Sequence, residues 1–230
     1  MIKYPQTGEY IDIHTHDARS AANAFILENL MAHEGRSPGD APEQVCSFGI
    51  HPWFLNEENY DRLLDSVKEA TLFSNLIAIG ECGFDKLRGP SMELQRKAFE
   101  EQVSVAEAMG KPVVIHCVKA WDELLPEYKK LRPEMPWVVH GFRGNSDLAA
   151  QLLSKGMYLS FWYDFVIRPE AAPLLKSLPK ERIFLETDSA DIDIREIYKK
   201  VAFDLNLTVD ELKSIIVDNF RRFFKVKETR

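Results

Sequence analysis

Leu76-Ile77-Ala78-Ile79-Gly80-Glu81 is a short apolar run that favours a β-strand and ends in a carboxylate. A helical pattern follows over Met92–Ala108, and a second β-rich run, Pro112-Val113-Val114-Ile115-His116-Cys117, comes next. Strands that alternate with helices in this way predict a parallel sheet with helices packed outside it. Because parallel strands end at the same edge, Glu81 and His116 are expected to lie on one rim.

The same alternation continues in both directions along the chain. Strands are predicted at Tyr10–His14, Val45–Ile50, Leu76–Glu81, Pro112–Cys117, Pro136–His140, Gly156–Ser160 and Arg182–Thr187. Helices are predicted at Glu57–Thr71, Met92–Ala108, Ala120–Leu131, Ser146–Ser154, Glu170–Ser177, Ile194–Phe203 and Val209–Phe224. We therefore predict a single domain over residues 1–230 of the α/β class, a trimmed (β/α)8 TIM barrel.

The seven strands above leave one strand of the barrel to be found, and the only candidate, second in chain order, has conflicting sequence signals. Asn23–Leu30 has good helix propensity, yet its Phe-Ile-Leu core would also suit a buried strand. If it is a strand, only seven residues separate His16 from Ala24, fewer than the roughly ten to twelve that a crossover helix needs. Residues 32–44 contain two glycines and two prolines and are interpreted as a loop. Helical material is thus expected to be reduced between strands 1 and 3.

Composition limits the class of protein. The net charge is -7, from 29 basic and 36 acidic residues, which excludes electrostatic coating of nucleic acid or anionic membrane as the main mode of action. The longest apolar runs are far shorter than a membrane span. Cys46, Cys82 and Cys117 form no C-x-x-C pair, and the N-terminus has no apolar signal core, so a reducing, cytoplasmic setting is expected. No membrane and no obligate protein partner are indicated.

Potential metal ligands stand at the predicted strand ends. They are His14, His16, Glu81, His116, His140 and Asp188. Side-chain alternation turns these residues toward one face and turns Cys82 and Cys117 away from it. Asp12 faces the same way as the histidines and could orient one of them as a hydrogen-bond acceptor. A single His-x-His is weak evidence, and His33, in the loop, is assigned no role.

Four imidazoles and two carboxylates at one rim favour a two-metal hydrolytic centre. Imidazole suits zinc, whereas carboxylate suits magnesium or manganese, so two divalent ions (Mg, Mn or Zn) are expected and their identity stays open. Glu81 and Asp188 are the expected catalytic residues. Glu81 is expected to bridge the ions, and Asp188 to combine metal ligation with accepting a proton from the attacking water.

The chain resembles the TatD family of metal-dependent hydrolases, within the amidohydrolase-like barrels. The resemblance rests on Ile11–His16, Gly49–Pro52, Ile79–Asp85, Gln95–Phe99, Pro112–His116, His140–Phe142, Leu185–Ser189 and the last helix. It implies metal roles for the six ligands named above. It also implies a deoxyribonuclease or related phosphoester hydrolase, and we expect a 3'-5' exonuclease that acts on nucleic acid ends.

Two departures from the family pattern leave the substrate open. Family members commonly have Cys and Ser where this chain has His140-Gly141-Phe142-Arg143-Gly144, and the usual Arg-Asn-Glu-Pro segment after Asp188 is absent. Hydrolysis of a small ester, lactone or amide is therefore the alternative activity, and a non-enzymatic binding barrel is the alternative from another class. Because the six expected ligands are all present, the second alternative is disfavoured.

Three further residues are candidate substrate contacts. His51, Lys119 and Arg143 follow strand ends, where His51 could instead anchor its loop and the two cations could be solvated. Trp53 and Phe54, like Trp162 and Tyr163, could stack on bases or pack under loops.

Overall fold

The computed structural model describes residues 3–17 and 23–226, which contain eight strands and eight α-helices, with α-helices between consecutive strands from the third strand onward. The strands are β1 Tyr10–Thr15, β2 Ala24–Met31, β3 Cys46–Gly49, β4 Leu76–Asp85, β5 Val113–Val118, β6 Trp137–Val139, β7 Tyr158–Phe161 and β8 Ile183–Leu185. The helices are α1 Tyr60–Ala70, α2 Met92–Met109, α3 Trp121–Leu131, α4 Ser146–Ser154, α5 Tyr163–Val166, α6 Ala171–Ser177, α7 Ile194–Leu205 and α8 Val209–Phe223. The strands follow one another in chain order in one sheet, which is the (β/α)8 arrangement predicted from the sequence.

The ambiguous segment near residue 23 is a strand. β2 pairs in parallel with β1, with Tyr10 opposite Ala24 and Thr15 opposite Glu28. Between β2 and β3 the chain makes two short 3-10 turns, Ala32–Glu34 and Pro38–Asp40, where a barrel would usually carry a helix. The reduction between strands 1 and 3 is therefore confirmed for the described residues. Part of the first connection, residues 18–22, lies outside them.

Contacts divide the described residues into two compact units, 3–28 with 140–226, and 29–139. The single-domain assignment over 1–230 stays a prediction. In the first unit, α8 supplies Phe220 and Phe223, whose rings pack against Phe25 and Phe184 with centroids 4.9 and 5.5 Å apart. This helix begins at the predicted capping box, formed by Thr208 with the third residue of the helix.

In the second unit, α2 packs on β4 and β6 through aromatic rings. Phe99 contacts Phe84 and Trp137 at centroid distances of 4.9 and 5.3 Å, and all three rings are buried. α2 begins at Ser91, whose hydroxyl accepts a hydrogen bond from the backbone N–H of Leu94, and it ends at a left-handed glycine.

β4 approaches β5 closely at two glycines. Gly80 and Gly83 have φ values of +130° and +144°, which L side chains rarely adopt. A Cβ on Gly83 would collide with the backbone carbonyl oxygen of His116, and one on Gly80 with that of Val114. The register of the two strands shifts between Ile79 and Cys82. β4 extends to Asp85, beyond the predicted strand end at Glu81.

One further feature was not expected from the sequence. α5 is a short additional helix directly after β7. None of the helices in residues 3–17 and 23–226 has the length and apolar character needed to cross a membrane.

Candidate metal centre

The first cluster of potential ligands comprises His14, His16, His140 and Asp188, all in the first unit. One ligand atom from each of His14, His140 and Asp188 lies within 4.8 Å of the others. His16 Nε2 lies 3.4 Å from Asp188 Oδ1, and the His14 and His140 rings are 4.3 Å apart. His14 is buried, whereas 27% of the His16 side chain and 17% of the Asp188 side chain are exposed. The cluster is therefore open to solvent on the side of His16 and Asp188.

Backbone hydrogen bonds attach Asp188 to the end of β1. Its N–H donates to the carbonyl of His14, and its own carbonyl accepts from the N–H of His16, both at 3.0 Å. The hydroxyl of Thr15 donates to the same carbonyl. Asp188 has a φ of 54°, in the left-handed region that Asp tolerates better than most residues. The strand end and the bonds around it thus set the direction of this carboxylate.

The second cluster comprises His51, Glu81 and His116, all in the second unit. Their ligand atoms also lie within 4.8 Å of one another. Glu81 Oε1 is 2.7 Å from His116 Nδ1 and 3.1 Å from His51 Nε2, and all three side chains are buried. His51 Nδ1 accepts a hydrogen bond from the backbone N–H of Trp53, which directs its Nε2 toward Glu81.

Two polar residues that the sequence analysis did not single out hold the second cluster. Asn29 of β2 accepts hydrogen bonds from the Ser47 hydroxyl and the Glu81 backbone N–H, and its amide reaches Glu81 Oε2 at 3.5 Å. Asp85 Oδ2 lies 3.1 Å from His116 Nε2. Burial acts to raise the pKa of Asp85, but hydrogen bonds with His116, Trp53 and the Leu87 backbone outweigh it and hold the pKa at about 2. Asp85 is thus an anionic partner for the imidazole.

A third residue without a predicted role supports the first cluster. Glu186 is fully buried, accepts from the Gly141 backbone N–H at 2.6 Å and from the Ser160 hydroxyl, and lies 3.5 Å from His140 Nδ1. Strand alternation, which places Glu186 on the same face as Asp188, was the signal that could have found it. Asp12 accepts from the N–H and hydroxyl of Thr187, so its carboxylate holds the residue before Asp188. Burial raises the pKa of Asp12 to about 7.

The cysteines lie outside both clusters, as predicted from their side of the strands. Burial raises the pKa of the Cys82 and Cys117 thiols, which disfavours a thiolate ligand. Lys119 is exposed at the turn before α3. Arg143 is also exposed, with its guanidinium 5.0 Å from the centre of the Trp162 ring.

Each cluster contains the donor set of a divalent metal site. The triads His14–His140–Asp188 and His51–Glu81–His116 each offer two imidazole nitrogens and one carboxylate, a combination that catalytic zinc and non-haem iron sites use with further positions left open. The carboxylate in each cluster also favours a cation electrostatically, since Glu81 is buried and Asp188 is only 17% exposed. The residues present therefore fit a divalent ion in either cluster.

Comparison with known proteins identifies the family. The model of the TatD related DNase family matches residues 36–225. This chain belongs to the TatD family. The uncharacterized metal-dependent hydrolase YcfH of Escherichia coli is 24% identical over 209 residues, which cover 84% of this chain and 78% of that protein. The 3'-5' ssDNA/RNA exonuclease TatD of Cronobacter turicensis is 34% identical over 164 residues, or 67% of this chain and 60% of that protein.

The fold is also that of a solved family member. The crystal structure of YJJV, a TatD homolog from Escherichia coli, superimposes with a TM-score of 0.79 at 21% identity, covering 95% of this chain and 98% of that one. Membership of the TatD family confirms the predicted (β/α)8 class and the prediction of a metal-dependent hydrolase. The roles of the individual site residues stay predictions.

Proposed function

We propose that the protein is a divalent-metal-dependent exonuclease that removes nucleotides from the 3' ends of single-stranded DNA or RNA. The observation that carries this proposal is the pair of clusters, each with two imidazoles and a carboxylate whose ligand atoms lie within 4.8 Å. The name of the exonuclease relative supports the substrate class. Each cluster is proposed to bind one ion, and Mg, Mn and Zn all suit this mixed donor set.

Different exposure suggests different roles for the two carboxylates. Glu81 is 2% exposed and faces two imidazoles, which suits a ligand. Asp188 is 17% exposed, so water can reach it, and it is proposed to accept the proton of the attacking water. Divalent ions, when bound, would neutralise negative charge on the phosphate oxygens and lower the pKa of the attacking water. Glu186 and Asp85 orient His140 and His116. A bridging role for Glu81 stays a prediction.

The charge distribution supports attack at strand ends. The net charge is -7 and the sequence contains no long basic run, so few phosphate contacts along a duplex are expected. Lys86, one of the cations beyond β4, is paired with Asp122 and Glu123. Arg88, Lys119 and Arg143 are exposed and could each neutralise a phosphate. With so few phosphate contacts, activity should depend only weakly on salt.

Cleavage of labelled linear and covalently closed single-stranded DNA by protein of defined metal content tests the proposal. We expect stepwise shortening of the linear strand from its 3' end, little cleavage of the circle and a shallow salt dependence. Equal cleavage of the circle would contradict end trimming, and a steep salt slope would contradict the charge argument. If no nucleic acid is cut with Mg, Mn or Zn while a lactone or phosphomonoester is turned over, the small-ester hydrolase replaces this proposal.

A further inference from the structure

Trp53 presents an aromatic surface beside the second cluster. Its side chain is 38% exposed, unlike most large apolar residues of the chain. Its ring lies edge-on to His51 and His116, with centroids 4.9 and 5.7 Å apart, and its indole N–H donates to Asp85. One edge of the ring is therefore fixed by contacts to the cluster, while part of the ring is open to solvent.

A guanidinium lies over this ring. Arg88 Cζ is 4.4 Å from the Trp53 ring centre and 5.9 Å from that of Phe54, within the range of cation–π contacts. The backbone N–H groups of Leu87 and Arg88 donate to Asp85 Oδ1 at 2.7 and 3.0 Å. Asp85 thus holds both the indole and the loop that carries the cation, while its other contact is to His116.

The Arg88 side chain differs from the neighbouring cation in its pairing. Lys86 contacts Asp122 and Glu123. Within residues 3–17 and 23–226, the Arg88 guanidinium contacts the rings of Trp53 and Phe54 and makes no ion pair and no side-chain hydrogen bond. A stacked, exposed guanidinium with its N–H groups available is the geometry that binds phosphate oxygens.

We propose that Trp53 and Arg88 form a subsite for one nucleotide of a single strand, with the base stacked on the part of the Trp53 ring that the guanidinium leaves exposed and a phosphate bound by Arg88. Aromatic rings accept any base by stacking, and Arg adds both charge and a planar surface. Because Trp53 contacts His51 and His116, the nucleotide held there would lie next to the bond that is cut. Asp85 is a positioning residue for the subsite. The inference rests on the proposed function, since it assumes a nucleic acid substrate.

Binding of a ten-nucleotide thymidine strand and of an abasic strand of equal length tests the subsite. Fluorescence anisotropy is measured with manganese present and Asp188→Asn in every variant, so that the strands are not cut. Trp53→Leu should weaken binding of the thymidine strand roughly fivefold or more and leave the abasic strand unchanged. Arg88→Gln should weaken both strands and reduce the salt slope by about 1.

Control variants distinguish a nucleotide subsite from an Arg88–Trp53 contact that only stabilises the fold. Trp53→Phe keeps an aromatic face and should retain most of the affinity, and Arg62→Gln, which removes an exposed α1 cation, should change neither strand. Unchanged binding in Trp53→Leu and Arg88→Gln, with the wild type still trimming linear DNA, would overturn the subsite alone. If the wild type does not bind or cut single-stranded DNA or RNA, the proposed function and the subsite are both overturned.

Discussion

His16 and Asp188 are joined twice, once through the backbone and once through their side chains. The His16 N–H donates to the Asp188 carbonyl at 3.0 Å, and His16 Nε2 lies 3.4 Å from Asp188 Oδ1. Residues that are 172 positions apart in the sequence are thereby held in one geometry by the ends of β1 and β8. Because hydrogen bonds within the protein fix this pair, the first cluster is preorganised for the proposed cation.

Asp188→Asn should lower nuclease activity by roughly 10²–10⁴-fold, the range typical for loss of a general base. Asparagine tolerates the left-handed backbone at this position (φ 54°), so the fold should be retained. Initial rates on linear single-stranded DNA and a thermal denaturation curve measure both effects. Asp147→Asn, an exposed change on α4, is the matched control and should be neutral. Near-wild-type turnover in Asp188→Asn would show that another group accepts the proton.

Metal content should divide between the two clusters. We expect two divalent ions per chain in the wild type and one in His140→Asn or in His51→Asn, since each change removes one of three ligands from a different cluster. His33→Asn should keep both ions, because that ring stacks on Phe54 and belongs to neither cluster. Elemental analysis after equilibrium dialysis measures the content. Unchanged content in both ligand variants would refute metal binding by these clusters.

Gly83→Ala should destabilise the protein by about 1–3 kcal/mol or more, the range for overpacking a tight interior. The added methyl group would collide with the backbone carbonyl of His116, and the residue would keep a strained φ of +144°. Gly110→Ala is the control for backbone strain alone: its φ is +62°, its Cβ would meet nothing within 4 Å, and the expected loss is about 1 kcal/mol. Urea unfolding of both variants makes the comparison. A smaller loss for Gly83→Ala than for Gly110→Ala would contradict the close approach.

Thr208→Ala should lower the free energy of unfolding by about 0.5–2 kcal/mol through loss of the α8 cap. The Thr208 hydroxyl accepts from the Glu211 N–H at 3.2 Å, and Glu211 accepts from the Thr208 N–H at 2.7 Å. Hydrogen bonds from the backbone and hydroxyl of Thr208 hold the pKa of Glu211 below its usual value. The stabilisation from Glu211 is therefore present above its unfolded-state pKa and is lost as the pH falls through the folded-state pKa.

Urea titrations of wild type and Thr208→Ala at neutral pH and near pH 3 check this expectation. The difference in the free energy of unfolding between the two proteins should be smaller at the lower pH. Protonated Glu211 no longer supplies the carboxylate of the capping box. Ser214→Ala, later in the same helix, should cost little or nothing at both pH values, because alanine has the higher helix propensity, and a cost equal to that of Thr208→Ala would contradict a specific capping effect.

The strand ends that carry ligands were predictable because side-chain alternation and strand direction are local properties. His14, Glu81, His116 and His140 were placed from apolar runs of a few residues. The supporting residues were not predictable in the same way. Asn29 lies in a segment whose local propensities conflict, and Asp85 belongs to a part of β4 that pairs with β5 next to the close backbone approach at Gly83. Local propensity contains no information on such a contact.

The sequence by itself determined the alternation of strands and helices, the face on which each ligand lies and the family to which the chain belongs. The tertiary structure decided which ligands share a cluster: His51 joins Glu81 and His116, while His14 and His140 join Asp188. It also decided that Arg88 stacks on Trp53 while Lys86 is paired with acids. Periodicity fixes the direction of a side chain from its neighbours in the chain, but distances between side chains depend on register, twist and loop path, which only the packed molecule sets.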